Sequence, residues 1–133
     1  MKNAFSLLEL IFAIVVIGII SSFAIPKYLD TKNSAVISTI KRDIATATTS
    51  IQSYYLVNNE IDKISDAVTL NEQNWTIEDL KVTYKENENN CVVLEVKKDD
   101  DGDELTLSIT PDVGPICKKL NEDGIIETTY DLY

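Results

Sequence analysis

From Phe5 to Ile25 the chain reads FSLLELIFAIVVIGIISSFAI, an apolar run interrupted by one charge, Glu9. At about 1.5 Å per residue, such a run in a helix covers the ~30 Å hydrocarbon core of a bilayer. After Pro26 the pattern becomes amphipathic. Leu29, Val36, Ile40, Ile44, Ala47, Ile51 and Tyr54 or Tyr55 recur mostly at three- and four-residue steps among Lys, Asp, Thr and Ser, which predicts one apolar helical stripe. The two stretches read as a single helix from Phe5 to about Tyr55, about 76 Å long, stopped by Asn58-Asn59. A helix of that length without internal caps points to a membrane span, a coiled coil or an assembly element.

The rest of the chain changes period. Glu60 to Asn74 carries weak signals, while Trp75 and Ile77 read as core anchors. Lys81-Val82-Thr83-Tyr84 predicts a first strand, and Cys91–Lys97 with Leu105–Thr110 predicts a hairpin about an acidic turn. With Asp101-Gly102 as its two turn residues, Val96 faces Leu107 and Leu94 faces Ile109, so that these four and Val92 form one apolar face. That register sets Asp100 opposite Asp103 and Asp99 opposite Glu104. A last strand alternates Ile126, Thr128, Tyr130 and Leu132 against Glu127, Thr129 and Asp131, and Lys118-Lys119 reads as a solvated loop. The fold class expected is α+β, a long N-terminal helix packed on a small antiparallel sheet.

Composition sharpens this division. The 133 residues carry a net charge of −10, with no His and one Met. Residues 1–50 hold Lys2, Lys27, Lys32, Lys41 and Arg42 against Glu9, Asp30 and Asp43, a balance of +2, leaving −12 for the remainder. A greasy, near-neutral front is thus joined to an acidic body. No His-based triad, no P-loop and no distinct carboxylate pair is present, which argues against an enzyme. The acidic body lacks the basic patch that phosphates demand, which argues against direct nucleic-acid binding.

Two roles compete for the apolar run: a removable signal or a retained anchor. Ser22-Phe23-Ala24 fits the small-residue pattern before an ordinary signal cut. Glu9 opposes it, because an acid within an apolar span costs up to about 2.5–3.5 kcal/mol at the bilayer centre and is usually kept for a partner or a function. The residues around it, Lys2-Asn3-Ala4-Phe5-Ser6-Leu7-Leu8-Glu9, resemble the processing site of the type IV pilin and type II secretion pseudopilin superfamily. That pattern is a short basic leader, a small residue, then Phe-Ser/Thr-Leu-Leu/Ile-Glu opening an apolar helix. Ala4 replaces the more usual Gly, and the leader is short.

The resemblance implies a pilin-like fold and cleavage by a prepilin peptidase between Ala4 and Phe5, with methylation of the new amino group of Phe5. It implies that Glu9 pairs with the Phe5 amine of a neighbouring subunit, and that Gly18 and Pro26 weaken the helix. The domains would be a leader, 1–4; a transmembrane and assembly helix, 5–26; its amphipathic half, 27–57; and an acidic head, 58–133. The subunit would wait as a single-pass protein of a bacterial inner membrane, N-terminus cytoplasmic. An inner-membrane assembly platform would then polymerise it with itself or related subunits into a periplasmic or extracellular helical filament. Pilus, secretion pseudopilus and DNA-uptake filament stay open, as do major and minor subunit.

Two features of the head carry chemistry. Cys91 and Cys117, an even pair in a domain expected outside the cytoplasm, favour a disulfide, and the pairing matches the C-terminal disulfide loop of many pilins. Asp99, Asp100, Asp101, Asp103 and Glu104 cluster about Gly102. Calcium prefers such oxygen ligands, and major pseudopilins use a calcium site in their C-terminal region, but the spacing fails the EF-hand template. A solvated acidic turn competes with the cation, and no cofactor is required. The alternative function is a secreted or periplasmic acidic module, with or without calcium, released by ordinary signal cleavage.

Overall fold

The computed structural model describes residue 4 and residues 6–132, apart from the side chains of Pro26, Tyr28, Leu29 and Asp30. Helix α1 spans Leu7–Asn58, 52 residues. It starts two residues after Phe5 and runs three beyond Tyr55. At its end the Asn58 Nδ2 donates to the Tyr54 carbonyl at 3.0 Å, and the Asn59 N–H donates to the Tyr55 carbonyl at 2.7 Å. Asn59 takes φ 61°, the left-handed conformation that Asn tolerates and that closes helices by satisfying their last carbonyls.

The chain divides into two compact units, Met1–Ala35 and Val36–Tyr133. In the first, Leu7–Ile25 is helical, unburied, and long and apolar enough to cross a membrane, with a mean hydropathy of 2.6. By length and composition it fits a membrane span or a signal sequence.

The second unit is an α+β body. Its strands are β1 (Trp75–Ile77), β2 (Lys81–Glu86), β3 (Asn89–Lys97), β4 (Glu104–Ile109) and β5 (Thr128–Asp131). They form one antiparallel sheet in sequence order. Alternation puts Val82 and Tyr84, Val92, Leu94 and Val96, and Leu105 and Leu107 on the buried face. These residues join one core with Ile37, Ile40, Ile44, Ala47 and Ile51 of α1. The helical stripe therefore runs through Ile37, which the sequence pattern had left out, while Val36 is only half-buried. Leu29 lies outside the described side chains.

The β3–β4 register corrects the expected one. Val96 pairs with Leu105, Leu94 with Leu107 and Val92 with Ile109, a slip of two residues that keeps every apolar side chain on its face. The physical reason lies in the charges. The expected hairpin opposes Asp100 to Asp103 and Asp99 to Glu104, and like charges directly opposed destabilise a ladder. The observed ladder ends on Lys97 opposite Glu104, an opposite-charge pair, with residues 98–103 as a longer loop.

Other corrections are local. The expected first strand is the second and extends to Glu86, because Asn87 and Glu88 take φ 53° and 66°, the two positive values of a tight hairpin turn. Trp75 and Ile77 belong to a short strand. Trp75 is buried, donates Nε1–H to Asp43 Oδ2 at 3.0 Å and packs a tilted 6.1 Å from the Tyr84 ring. The last strand is shorter than expected and leaves Ile126 exposed. Lys118-Lys119 lies in a second helix, α2 (Pro115–Glu122), rather than a loop. The weakly patterned connection places Ile61, Ile64 and Leu70 in the core.

Leu94, fully buried on the central strand, reports the strength of this packing. Leu94→Ala is expected to destabilise the body by about 2–5 kcal/mol. Urea unfolding of the detergent-solubilised full chain, followed by fluorescence of the single Trp75, measures it.

Candidate functional site

The first turn of α1 forms a reciprocal cap. The Ser6 N–H donates to Glu9 Oε2 at 2.8 Å and its hydroxyl donates to the same oxygen at 3.1 Å. In return the Glu9 N–H donates to the Ser6 Oγ at 3.2 Å. This is a capping box, which satisfies N–H groups that a helix start leaves without intrahelical partners. It also places a carboxylate at the positive end of the helix dipole. The sequence carries the signal for this cap as Ser6-x-x-Glu9.

Both residues are exposed. Ala4 is exposed and outside α1. Phe5, expected to carry the new amino group, and leader residues 1–3 lie outside the described residues. Gly18 sits within α1 with nothing within 4 Å of where a Cβ would stand, so no packing inside this chain requires a glycine there. The helix runs unbroken through Gly18 and Pro26; the Pro26 side chain lies outside the described set.

In the body, Cys91 and Cys117 form a disulfide, with Cα atoms 5.7 Å apart. It joins the start of β3 to the first turn of α2. The same turn is held a second way. Glu86, buried at the end of β2, accepts the Ile116 N–H at 3.1 Å and the Cys117 N–H at 2.9 Å. A carboxylate carried by another element thus caps α2, whose own N-cap residue, Gly114, has no side chain to do so. Gly114 is required for the approach, because a Cβ there would collide with the Glu86 carboxylate. Asn87 Nδ2 adds a 3.1 Å bond to the Val113 carbonyl. Nearby, burial and then the Glu86 charge push the Tyr84 phenol above its ordinary pKa. At the other end of α2, Asp123 pairs with Lys119 at 3.4 Å and with Lys41 of α1 at 3.6 Å.

The acidic turn does not gather its carboxylates. Glu104 stays on the ladder opposite Lys97. The Asp103 side chain lies beside Tyr55; desolvation, then the neighbouring Asp103 carboxylate, raise the phenol's pKa. The Asp103 carbonyl accepts the Leu132 N–H at 2.9 Å, and the Asp99 carbonyl accepts the Gly102 N–H at 3.2 Å. Gly102 takes φ 140°, where glycine avoids a side-chain penalty. Asp99, Asp100 and Asp101 are exposed, and the flanking Lys98 pairs with Asp62 at 3.3 Å. Among the described residues, no three or more His, Cys, Asp or Glu side chains are grouped to hold a metal.

No protein-family model, curated protein or solved structure matches the chain.

Three measurements address the body. Intact mass without reductant is expected to be two hydrogens below the reduced mass. Replacing both cysteines by Ser is expected to cost about 3.5 kcal/mol, from the entropy of closing a ~26-residue loop. Calorimetric titration with calcium is expected to give no heat; heat together with a thermal shift would assign the cation to the turn.

Proposed function

We propose that the chain is a structural subunit of a type IV pilus or type II secretion pseudopilus, cut by a prepilin peptidase and polymerised through α1. The observation that carries this reading is the run Ala4-Phe5-Ser6-Leu7-Leu8-Glu9, opening an apolar helix that continues, without a break, as the core helix of an α+β body. A long helix under an antiparallel sheet is the arrangement a pilin-like subunit requires. The disulfide fits a body outside the cytoplasm, with the short leader on the cytoplasmic side.

The mechanism follows from charge and burial. Cleavage after Ala4 makes Phe5 the new N-terminus, one helical turn before Glu9. In a single subunit the carboxylate is satisfied by Ser6 at the edge of the span. An ionised carboxylate has lone pairs to spare, so it can also accept the ammonium of a neighbour's Phe5 when helices pack against one another. A subunit docked out of register leaves a buried charge unpaired, which costs about 3–5 kcal/mol and selects the correct axial step. The apolar side chains of Leu7–Ile25 exchange lipid for neighbouring helices, where close packing supplies the attraction.

N-terminal sequencing of the mature protein tests the reading. A start at Phe5, N-methylated, is expected; a start at Ile25 would instead identify a secreted acidic module. Glu9→Gln separates the two roles of this side chain, since Gln also serves in a capping box but carries no charge. It is expected to insert and be cut normally while filament yield falls at least tenfold, as for Glu9→Ala; pelleting sheared filaments measures it. Unchanged yield would remove the pairing.

A further inference from the structure

One hairpin seats the first turn of α2 and also carries the cysteine that the turn must reach. Glu86 ends β2, Asn87 and Glu88 form the tight turn, and Cys91 follows on β3. From this hairpin Glu86 takes the Ile116 and Cys117 N–H groups on separate carboxylate oxygens, and Asn87 holds the Val113 carbonyl. A further bond shortens the path between the cysteines. The Thr110 N–H donates to the Cys91 carbonyl at 2.8 Å, so the chain leaves Cys91 at Thr110 and returns to it at Cys117. With β4 paired, the segment left to place is the seven residues after Thr110 rather than the 26 that separate the cysteines.

Glu86 and both cysteines are buried. Hydrogen bonds to a carboxylate are charge-assisted and strong, and a strand end fixes their direction. We propose that Glu86 is a positioning residue for the disulfide. By gripping the backbone of Cys117 from the hairpin that carries Cys91, it seats α2 in the reduced chain and holds the two thiols within bridging reach. Oxidation is then closure on a prepared seat. The thiolate of one cysteine attacks an external disulfide, breaks its S–S bond and releases one thiolate. The second cysteine attacks the mixed disulfide, forms the Cys91–Cys117 bond and releases the other. Two cysteine thiols lose two protons and two electrons, and the external disulfide becomes two thiols. Only the second attack brings Cys91 and Cys117 together, and that is the step the grip of Glu86 favours. By linkage, the closed bridge holds the Cys117 N–H against Glu86 equally. This role concerns the body alone and holds whether or not the chain polymerises.

The thiol–disulfide equilibrium of the full chain, solubilised in detergent and held in glutathione buffers, tests it. Alkylated thiols are counted by mass, and Trp75 fluorescence identifies conditions in which the reduced chain stays folded. Glu86→Gln keeps the side chain's size but offers one acceptor oxygen where two N–H groups use two. Gly114→Ala suits the extended backbone there, φ 175°, and disturbs the Glu86 carboxylate, which its Cβ would meet. It keeps every hydrogen-bonding group of the chain, so it serves where Glu86→Gln unfolds the reduced body. Each variant is expected to lower the effective concentration of the paired thiols at least tenfold, or about 30 mV of reduction potential. The double variant is expected to fall no further than either one, because both act on the same contact. Leu94→Ala is expected to leave the equilibrium in place, since it weakens the oxidised and reduced bodies alike. An unchanged equilibrium in Glu86→Gln and Gly114→Ala would overturn the proposal and leave Glu86 as a cap that follows the bridge. An equal fall in Leu94→Ala would also overturn it, by showing that general loosening is enough.

Discussion

One helix carries two kinds of surface. Helix α1 runs from Leu7 to Asn58, yet its side chains obey different rules up to Ile25 and beyond Ala35. From Leu7 to Ile25 nearly every side chain is apolar, as lipid or packed helices require. Toward the C-terminus the buried side chains gather on the Ile37–Ile51 stripe, and most other directions carry Ser, Thr and charged residues. The buried face of the sheet shares one core with that stripe. The first turn depends on the helix in another way: an acid inside an apolar stretch is tolerated there because Ser6 satisfies its carboxylate locally.

The body repeats this logic at smaller scale. Helix α2 has eight residues, too few to be stable alone, and its N-cap glycine offers no side-chain acceptor. It persists because Glu86 accepts two of its free N–H groups and Cys117 ties its first turn to β3. Asp123 holds its far end through Lys119 and Lys41. A weak local element is fixed by strong distant contacts, and Gly114 contributes by having no side chain to obstruct them.

Much of this was legible in the chain, and the failures have physical causes. The core stripe of α1 showed itself through its period, since Ile40, Ile44, Ala47 and Ile51 can share a face only in a helix. The β3–β4 register was misread by two residues because alternation fixes parity alone. Val92, Leu94 and Val96 face the core under any even slip, and the choice falls to Lys97 against Glu104. Helix α2 was invisible because its cap lies 30 residues upstream on Glu86, beyond any local pattern. The capping box at Ser6 and Glu9 was visible in sequence, but a charge inside an apolar run suggests a distant partner before it suggests a local cap. The disulfide followed from an even pair of cysteines in a domain expected outside the cytoplasm. The dispersal of the acidic turn did not follow from sequence, because it depends on Tyr55 reaching Asp103 from the end of α1.

The order of the strands bears on how the chain acquires this form. In a meander whose spatial order equals its sequence order, each strand finds its partner a short loop away, so pairing requires little chain search. The seat on α1 is different, because Ile40 and Leu107 join one core across a wide separation in sequence. During synthesis the helix emerges first, and its Ile37–Ile51 stripe waits uncovered until β1 to β4 exist. Seating the sheet on the helix is therefore the pairing that asks for the longest chain search. The disulfide, whose second cysteine lies beyond β4, closes near the end of that sequence.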